Sequence, residues 1–218
     1  MTFCCDLYIN YNLSMIIGID EVGRGPLAGP VVAAAILVPE GIRFGSRRLK
    51  DSKRLTKVQR ENWWNYLKNH PAILYAHSRV YPKTIDRINI SRAADLAATR
   101  ALAKLILKEE KTGGFGLKQA RIFLDGGLHV QSEKFKNFKI ATIIGGDEKI
   151  KAIQLASIVA KVKRDGLMKK MHRRYPQYSF DRHKGYGTNA HFAAIKAHGL
   201  SPLHRLTFVK QYHKIKSK

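Results

Sequence analysis

The sequence contains little cysteine and no long apolar run. Its two cysteines, Cys4 and Cys5, are adjacent, so they provide neither a disulfide framework nor a CxxC pair for zinc, and the chain suits a reducing cytoplasm. No run approaches the ~20 apolar residues of a membrane span, and residues 1–14 lack the basic start and apolar centre of a signal peptide. We therefore expect a cytoplasmic protein with no membrane partner, in which residues 1–14 form a flexible N-terminal extension.

Acidic residues are also scarce. The 218 residues include 16 Asp and Glu against 40 Lys and Arg, a net charge of +24, and 44% are hydrophobic, enough to bury the core of one domain. The last third is very basic, since residues 149–218 carry 17 Lys and Arg against two Asp. Such an excess indicates a polyanionic partner. Nucleic acid fits better than a membrane surface, because the sequence shows no basic amphipathic helix with a broad aromatic face.

Four of the few acidic residues follow apolar, strand-like runs. The runs are 16–19, 122–124 and 143–146, and the acids that follow them are Asp20 with Glu21, Asp125, and Asp147. Carboxylates gathered at one edge of a sheet are hard oxygen ligands for Mg²⁺ or Mn²⁺, the ions used to cut phosphodiesters. Taken singly, Asp125 suits an ordinary turn and Asp147 suits a helix cap. Four together in so basic a chain predict a metal site that acts on nucleic acid.

Gly23, Gly25 and Ala28 fit the spacing of a dinucleotide-binding fingerprint behind a strand. The residues that follow, 31–38, are continuously apolar and predict a strand, not the helix whose N-terminus would meet a pyrophosphate. The two carboxylates just before the loop would also repel that group. Dinucleotide binding is therefore disfavoured. The segment is better interpreted as a tight loop whose amides and one guanidinium approach a backbone closely, which glycine permits.

Hydrophobic periodicity predicts an α/β domain. Strands are expected at 15–20, 31–38, 73–81, 121–125 and 138–144, and helices at about 56–70, 91–110, 148–174 and 188–198. The first helix begins with a capping box, in which Thr56 is followed by Gln59. Strands come first, then strands and helices in alternation, then helices alone. This order is typical of a mixed α/β layered domain with a helical C-terminal part.

The segment MIIGIDEVGRGPLAGPVVAAAILVP, which starts at residue 15, resembles the opening of ribonuclease HII, the type 2 ribonuclease H of prokaryotes. Collinear matches follow at 51–55, 88–89, 123–126, 146–147, 157–165 and 183–188, so the resemblance runs from about residue 15 to about 208. It implies a catalytic domain at 15–174, built on a ribonuclease H-like mixed sheet flanked by helices, and a helical substrate-binding part at 175–218. The Gly-Arg-Gly motif and the short N-terminal segment favour type HII over the related type HIII.

The resemblance also implies a set of functional residues. The catalytic and metal-binding residues would be Asp20, Glu21, Asp125 and Asp147, which would hold two Mn²⁺ or Mg²⁺ ions. The substrate-binding residues would be Gly23, Arg24 and Gly25, which read the ribose 2′-hydroxyl, Tyr186, which packs on the neighbouring deoxyribose, and Ser52, Lys53 and Lys184, which contact phosphates. The stretch between Asp125 and Asp147 is longer and richer in lysine than expected of many members.

Simpler interpretations stay open for several residues. Without the resemblance, Tyr186 would be an aromatic plug in a glycine-hinged loop, and each lysine would be a solvated charge. His183 and His191 could touch phosphate or another part of the substrate, although core or surface histidines are commoner. Asp165, next to Arg164 in a predicted helix, suits a structural salt bridge.

The implied function is that of a metal-dependent endonuclease. It would hydrolyse the phosphodiester 5′ to ribonucleotides in DNA duplexes and the RNA strand of RNA–DNA hybrids, leaving 3′-hydroxyl and 5′-phosphate ends. Two alternatives are a non-catalytic basic nucleic-acid-binding protein, such as a ribosomal component, and a DNA-specific nuclease or integrase-like enzyme with the same metal chemistry. The first leaves the four strand-end carboxylates unexplained, because they would weaken phosphate binding. We expect the chain to act as a monomer.

Overall fold

The structure is a computed structural model that describes residues 14–44, 49, 55–112, 117, 120–130 and 133–210. Residues 1–13 of the predicted extension lie outside these ranges, and so do the predicted phosphate contacts Ser52 and Lys53. Within the described ranges, no helix is long and apolar enough to cross a membrane.

The described strands form one mixed sheet. They are β1 (Met15–Val22), β2 (Val31–Pro39), β3 (Leu74–Val80), β4 (Arg121–Asp125) and β5 (Lys139–Ile143), in the order β3-β2-β1-β4-β5. β1, β2 and β3 are antiparallel neighbours, whereas β4 and β5 run parallel to β1. Each lies where an apolar run predicts a strand, so the predicted mixed sheet is confirmed.

Helices accompany the sheet along the chain. They are α1 (Lys57–Asn69), α2 (Pro82–Ile88), α3 (Ile90–Lys111), α4 (Gly146–Lys149), α5 (Lys151–Arg174), α6 (Phe180–His183) and α7 (Asn189–His198). The predicted capping box is present, because Thr56 and Gln59 each accept a hydrogen bond from the other's backbone N–H. The sequence pattern does not predict α2. This short helix begins at Pro82, where the missing N–H of proline costs no helical hydrogen bond.

The predicted helix at 148–174 is divided in two. The backbone leaves the helical region at Ile150 (φ −115°, ψ 113°), so α5 begins at Lys151 and the separate short helix α4 carries Asp147. A helix start at Glu148 is therefore wrong. The break allows Asp147 to follow β5 at the sheet edge while α5 packs across β1 and β2.

Each face of the sheet is covered by helices. α3 lies on one face, where buried alanines such as Ala97 and Ala101 allow a close approach. α1 and α5 cover the other face. Gly18 of β1 makes room for α5, because a Cβ there would lie 2.1 Å from the carbonyl carbon of Ala152.

Residues 175–210 form a smaller helical part with its own core. Tyr178 and Phe180 pack there with Met168 of α5 and with Ala28. Ala28 belongs to the connection between β1 and β2 (residues 23–30), named the β1–β2 loop. The predicted helical C-terminal part is present, and it packs against the loop that the sequence predicts to read the substrate.

Parallel pairing brings the predicted acids to one edge of the sheet. Ile19 of β1 pairs with Leu124 of β4, so Asp20 and Asp125 follow paired residues. Asp125 in turn pairs with Ile143, the last residue of β5, and α4 follows almost directly. Neighbouring strand ends therefore present their carboxylates to the same space.

Candidate active site

A cleft of about 590 Å³ opens at this edge. It is lined by Asp20, Glu21, Val22, Gly23, Arg24, Gly25, Arg60, Asp125, Asp147, Ser157, Lys161 and Tyr186. The four carboxylates predicted to bind metal thus share one space with the Gly-Arg-Gly motif and the predicted sugar-packing tyrosine. Only the fold joins them, because they come from distant parts of the chain.

The acidic side of the cleft holds like charges together, away from water. Asp20 is only 4% exposed, and burial, with the charges of Glu21 and Asp125, raises its pKa well above the usual value. A hydrogen bond from Ser157 opposes that rise. Burial also raises the pKa of Glu21, against the effect of Arg24, and Glu21 Oε2 is buried without a hydrogen-bond partner among the described residues. A bound cation would relieve both the repulsion and the missing partner.

Asp125 is hydrogen-bonded to the start of α4, the short helix that carries Asp147. Asp125 Oδ1 accepts a hydrogen bond from the Gly146 N–H at 2.8 Å, which fixes the end of β4 against α4. Asp147, the next residue, is 6% exposed. In the described part of the chain, no group of three or more His, Cys, Asp or Glu is arranged to hold a metal ion. The carboxylates share a cleft without the close grouping that coordination requires, and the two-ion site stays a prediction.

Arg24 forms a salt bridge with one of these acids. Its Nε donates to Glu21 Oε1 at 2.5 Å, and its Nη2 donates to the Gly127 carbonyl at 2.9 Å. The guanidinium therefore joins the end of β1 to the turn after β4. The backbone N–H groups of Arg24 and Gly25 make no hydrogen bond within the described residues, so they can donate to a ligand in the cleft.

Arg205 holds the β1–β2 loop from inside the protein. This fully buried side chain donates to three carbonyl groups: Gly23 at 2.6 Å, Arg24 at 2.7 Å, and Gly29 at 2.8 and 3.0 Å. A guanidinium removed from water needs such partners. The two ends of the loop are thereby tied to one residue of the C-terminal part.

Arg164 of α5 holds the same loop at other points. It is also fully buried, and it donates to the Pro30 carbonyl at 3.0 Å and to the Ala28 carbonyl at 3.3 Å. Gly23 has a φ of +96°, and a Cβ there would lie 2.3 Å from Arg164 Nε. Burial lowers the pKa of Arg164, and burial together with the charge of Arg164 lowers that of Arg205. The loop carbonyl groups point inward and accept hydrogen bonds from both guanidinium groups. These bonds offset the energetic cost of burying two like charges.

The β1–β2 loop is joined to the loop that carries Tyr186. The Gly185 carbonyl accepts hydrogen bonds from the N–H groups of Leu27 and Ala28, at 2.8 and 3.2 Å. Gly185 has a φ of +85°, and a Cβ there would lie 2.3 Å from the Ala28 carbonyl oxygen. The half-exposed Tyr186 ring faces Gly25, where an added Cβ would lie 3.9 Å from Tyr186 Cε1. The two loops therefore present one continuous surface.

Three histidines fix the backbone beside Tyr186. The Ser201 N–H donates to His204 Nδ1 at 2.9 Å, so His204 carries its proton on Nε2 and donates it to His191 Nε2 at 3.1 Å. His191 consequently donates from Nδ1 to the Tyr186 carbonyl at 2.9 Å. His183 stacks on His191, with ring centroids 4.3 Å apart. Burial lowers the pKa of all three rings, that of His191 to about 4, which favours the neutral forms that these hydrogen bonds require.

Comparisons with known proteins indicate one family. The family model of ribonuclease HII matches residues 17–213. A curated ribonuclease HII of Endomicrobium trichonymphae is 43% identical over 202 residues, which cover 92% of this chain and 88% of that protein. The chain belongs to the ribonuclease HII family.

Solved structures agree with this family in fold. The crystal structure of the ribonuclease H2 from Pyrococcus horikoshii OT3 matches with a TM-score of 0.68 and 25% identity, over 94% of this chain and 99% of that one. A crystal structure of Bst-RNase HIII in complex with Mn²⁺ matches with a TM-score of 0.62 and 18% identity, over 95% of this chain and 72% of that one. The predicted ribonuclease H-like fold is confirmed, and membership of the ribonuclease HII family implies ribonuclease H endonuclease activity.

The structure shows the partners of two further residues named in the sequence prediction. Lys184 Nζ donates to the Asp181 carbonyl, and Lys184 is not among the residues that line the cleft, so its phosphate contact stays a prediction. Asp165 does form a salt bridge, but with Lys161 at 3.0 Å, not with the adjacent Arg164. Successive helical residues point about 100° apart, and Arg164 turns toward the β1–β2 loop instead.

Four residues of the site carry no functional role in the sequence prediction: Arg60, Ser157, Lys161 and Arg205. Ser157 and Lys161 lie one helical turn apart on α5, a spacing that places both on the face that borders the cleft. Arg60 lies in the first turn of α1, just after the capping box. Arg205 has no local signal, because the carbonyl groups that it binds are 176 to 182 residues away.

Proposed function

We propose that the chain is a metal-dependent endonuclease that cuts 5′ to ribonucleotides in DNA duplexes and within the RNA strand of RNA–DNA hybrids, leaving 3′-hydroxyl and 5′-phosphate ends. The observation that carries the proposal is that four carboxylates share one cleft with the Gly-Arg-Gly loop and Tyr186. Metal ligands and a sugar-reading surface are thereby within reach of one phosphodiester. Family membership supports the same class of activity.

The proposed cofactors are two Mn²⁺ or Mg²⁺ ions held by Asp20, Glu21, Asp125 and Asp147. The donor set fits these ions, which prefer carboxylate oxygens, and the buried Glu21 Oε2 has no hydrogen-bond partner among the described residues. Such ions, when bound, activate a water molecule and stabilise the leaving 3′-oxygen. The Mn²⁺ complex of Bst-RNase HIII, a protein of the same fold, supports the choice of a divalent ion.

Arg24 is proposed to serve both the acids and the substrate. In the structure its guanidinium balances the charge of Glu21. Once that carboxylate is neutralised in another way, the same guanidinium can bind a substrate phosphate from within the cleft. This accounts for a cation at the centre of a motif whose two glycines admit a close approach.

Substrate selection would rest on the β1–β2 loop and Tyr186. A ribose 2′-hydroxyl both donates and accepts hydrogen bonds, and the N–H groups of Arg24 and Gly25 are donors without partners in the described residues. Gly25 has no side chain to hold a sugar away. Beside it, the Tyr186 ring offers a flat surface to the following deoxyribose, whose C2′ bears no hydroxyl. A ribonucleotide followed by DNA is the substrate that fits both features.

The C-terminal part, proposed as residues 175–218, would complete the substrate-binding surface of the catalytic domain at 15–174. Its described portion supplies Tyr186 to the cleft, and Arg205 ties the β1–β2 loop to it. The 17 lysines and arginines of residues 149–218, which include this part, would provide contacts to phosphates.

A DNA duplex that holds a single ribonucleotide tests the proposal. The purified protein is incubated with it in Mg²⁺, in Mn²⁺ or without metal, and the ends of the products are identified. Metal-dependent nicking at the ribonucleotide is expected. Tight binding without cleavage would indicate the non-catalytic nucleic-acid-binding protein, and cleavage of an all-DNA duplex would indicate a DNA-specific nuclease.

Arg24→Ala tests the reading of the junction separately. The variant should lose nicking of the single-ribonucleotide duplex by a larger factor than it loses affinity, because its charge is one of 40 on the chain. Equal losses of nicking and affinity would make Arg24 a general phosphate anchor.

A further inference from the structure

One edge of the sheet gathers lysines from three helices. β3 is an edge strand, with α3 on one face of the sheet and α1 and α5 on the other. Lys108 and Lys163 contact Tyr75 of β3, and the charges of Lys68, Lys104 and Lys170 act on Lys163 or on His77 of β3. These five lysines are named the edge patch. Charges from both faces of the sheet therefore converge on its open edge.

Aromatic rings hold two of these lysines in place. Lys163 Nζ lies 4.2 Å from the centroid of the Trp64 ring and 5.8 Å from that of Tyr75. From the other face, Lys108 Nζ lies 4.7 Å from the Tyr75 ring centroid and 3.5 Å from the Tyr75 carbonyl oxygen. Contacts of this kind orient an ammonium group without neutralising it. These two lysines are thus held in place, unlike lysines that extend freely into solvent.

The charges of the edge patch lack acidic partners. Within the described residues, none of its five lysines forms a salt bridge. Burial lowers the pKa of Lys163, and the charges of Lys108, Lys170 and Lys68 lower it further. Burial, and then the charges of Lys163 and Lys104, also lower the pKa of the neighbouring His77 to about 4. Mutual repulsion of this kind is relieved by an anion with closely spaced charges.

The patch lies beside the cleft. His77 of β3 pairs with Ala34 of β2, which pairs with Asp20 of β1, so two strand spacings of about 5 Å each separate the patch strand from the acids. α5 borders both places on different faces, because Lys161 lines the cleft and Lys163, about 200° further around the helix, belongs to the patch. A polyanion held in the cleft can therefore continue onto the edge patch.

We propose that the edge patch binds the sugar–phosphate backbone of a nucleic-acid duplex at positions beyond those held in the cleft. The proposal rests on the proposed function of the cleft, since it extends the grip on the same duplex. Lysines beside an edge strand also prevent other strands from pairing with it. That alternative explains charge at β3, but it does not explain why lysines from both faces converge on Trp64 and Tyr75.

The test compares two variants that lose the same charge at opposite edges of the sheet. The patch variant is Lys108→Gln with Lys163→Gln. The control is Lys136→Gln with Lys139→Gln. Lys139 is the first residue of β5, the other edge strand, and Lys136 lies just before that strand. Affinity is measured without metal for an all-DNA hairpin of about 6 base pairs, which reaches only about 10 Å to each side of the cleft, and for an all-DNA duplex of about 36 base pairs, roughly 120 Å long, over a range of salt concentrations.

The patch variant should lose about tenfold or more in affinity for the long duplex and less than about twofold for the hairpin. For the long duplex, the slope of log affinity against log salt concentration should become less steep by about two units. The control should lose a smaller and equal factor at both lengths. Lys170→Gln, which removes one exposed patch charge, should give a smaller loss on the long duplex alone.

Two results would overturn the proposal: unchanged affinity of the patch variant for the long duplex, or an equal loss in the control. Self-association of the patch variant with unchanged affinity would assign the lysines to protection of the edge strand. Nicking of a short single-ribonucleotide duplex should equal that of the wild type. Because affinity is measured without metal, a failure of the proposed cleavage would leave the length comparison intact.

Discussion

Two buried charged regions border the cleft, and they are completed in different ways. In the acidic wall (Asp20, Glu21, Asp125 and Asp147), burial and then the neighbouring like charges raise the pKa of Asp20 and Glu21. The loop base (Arg164, Arg205, His191 and His204) buries guanidinium groups against backbone carbonyls and keeps its rings neutral through fixed hydrogen bonds. Each region leaves one buried atom without a partner in the described residues, Glu21 Oε2 in the wall and Arg164 Nη1 in the base.

The difference separates two tasks. The protein itself satisfies nearly all of the loop base, so the surface formed by the β1–β2 loop and Tyr186 is held in shape before any substrate arrives. The acidic wall gains most from a cation supplied from outside. Variants of the acidic wall should therefore reduce catalysis with little loss of stability. Variants of the loop base should affect the stability of the fold and the selection of substrate.

The largest expected effect comes from a change in the wall. Asp125→Asn should reduce metal-dependent nicking to the background level, because a proposed ligand is lost. Affinity for the duplex should be unchanged or higher, since one charge that repels phosphate is gone. The measurement is nicking of a single-ribonucleotide duplex in Mg²⁺ and Mn²⁺, alongside affinity without metal. Substantial turnover in this variant would contradict the metal assignment.

Glu148→Gln is the matched control for the wall. Glu148 is an exposed carboxylate next to Asp147 that does not line the cleft. It should keep most of the nicking activity. A loss as large as that of Asp125→Asn would mean that net charge at this edge, not ligand identity, sets the activity.

A change in the loop base should mainly lower the stability of the protein. Arg205→Met removes the donors to the carbonyl groups of Gly23, Arg24 and Gly29, and each unsatisfied buried group costs about 1–3 kcal/mol. The free energy of unfolding, measured by urea denaturation, should fall by about 3 kcal/mol or more. Arg24→Met, which removes a partly exposed arginine, should cost less than about 1 kcal/mol. Equal stability of Arg205→Met and the wild type would show that the β1–β2 loop holds its shape without the base.

Substitutions of Tyr186 test whether the surface that the loop base supports selects the substrate. Tyr186→Ala should lower cleavage at a single embedded ribonucleotide more than cleavage of a long RNA–DNA hybrid, by about 1–3 kcal/mol if the ring acts as aromatic stacking on nucleotides does. Tyr186→Phe should keep most of the preference. The measurement is the ratio of kcat/KM on the two substrates. An unchanged ratio in Tyr186→Ala would reduce the ring to a loop plug.

The last effect concerns pH, and it contributes nothing near neutral pH. The pKa of His191 is lowered to about 4, so between pH 6.5 and pH 4 the unfolded chain binds a proton there that the folded chain does not. Stability should therefore fall as the pH falls through this window, with a slope from this group of at most about 1.4 kcal/mol per pH unit. His77 adds a slope of the same sign, because its pKa is also lowered to about 4.

Two substitutions of His191 separate its roles. His191→Asn places an amide near Nδ1 and can keep the bond to the Tyr186 carbonyl, whereas His191→Gln places it near Nε2 and loses that bond. Urea denaturation at several pH values should show a flatter slope in both. Only His191→Asn should keep the preference for a single ribonucleotide. The same preference in both variants would limit His191 to stability.

Much of the site could be predicted because its residues follow local patterns. The strand-end acids stand out since apolar runs of strand length stop directly before them, and parallel strands end at one edge of a sheet. Gly23 and Gly185 mark turns that the structure places at positive φ. Boundaries are harder to predict, because no Gly, Pro or capping residue marks the break at Ile150 that separates α4 from α5.

By itself, the sequence determined the mixed α/β fold, the basic body and the acids at the strand ends, since composition and hydrophobic period act over a few residues at a time. Only the tertiary structure decided that Arg205 ties the β1–β2 loop, that His204 and His191 orient the Tyr186 backbone, and that lysines of three helices meet at β3. These contacts join side chains far apart in the chain. Their direction is set by the packing of whole elements, which no local pattern records.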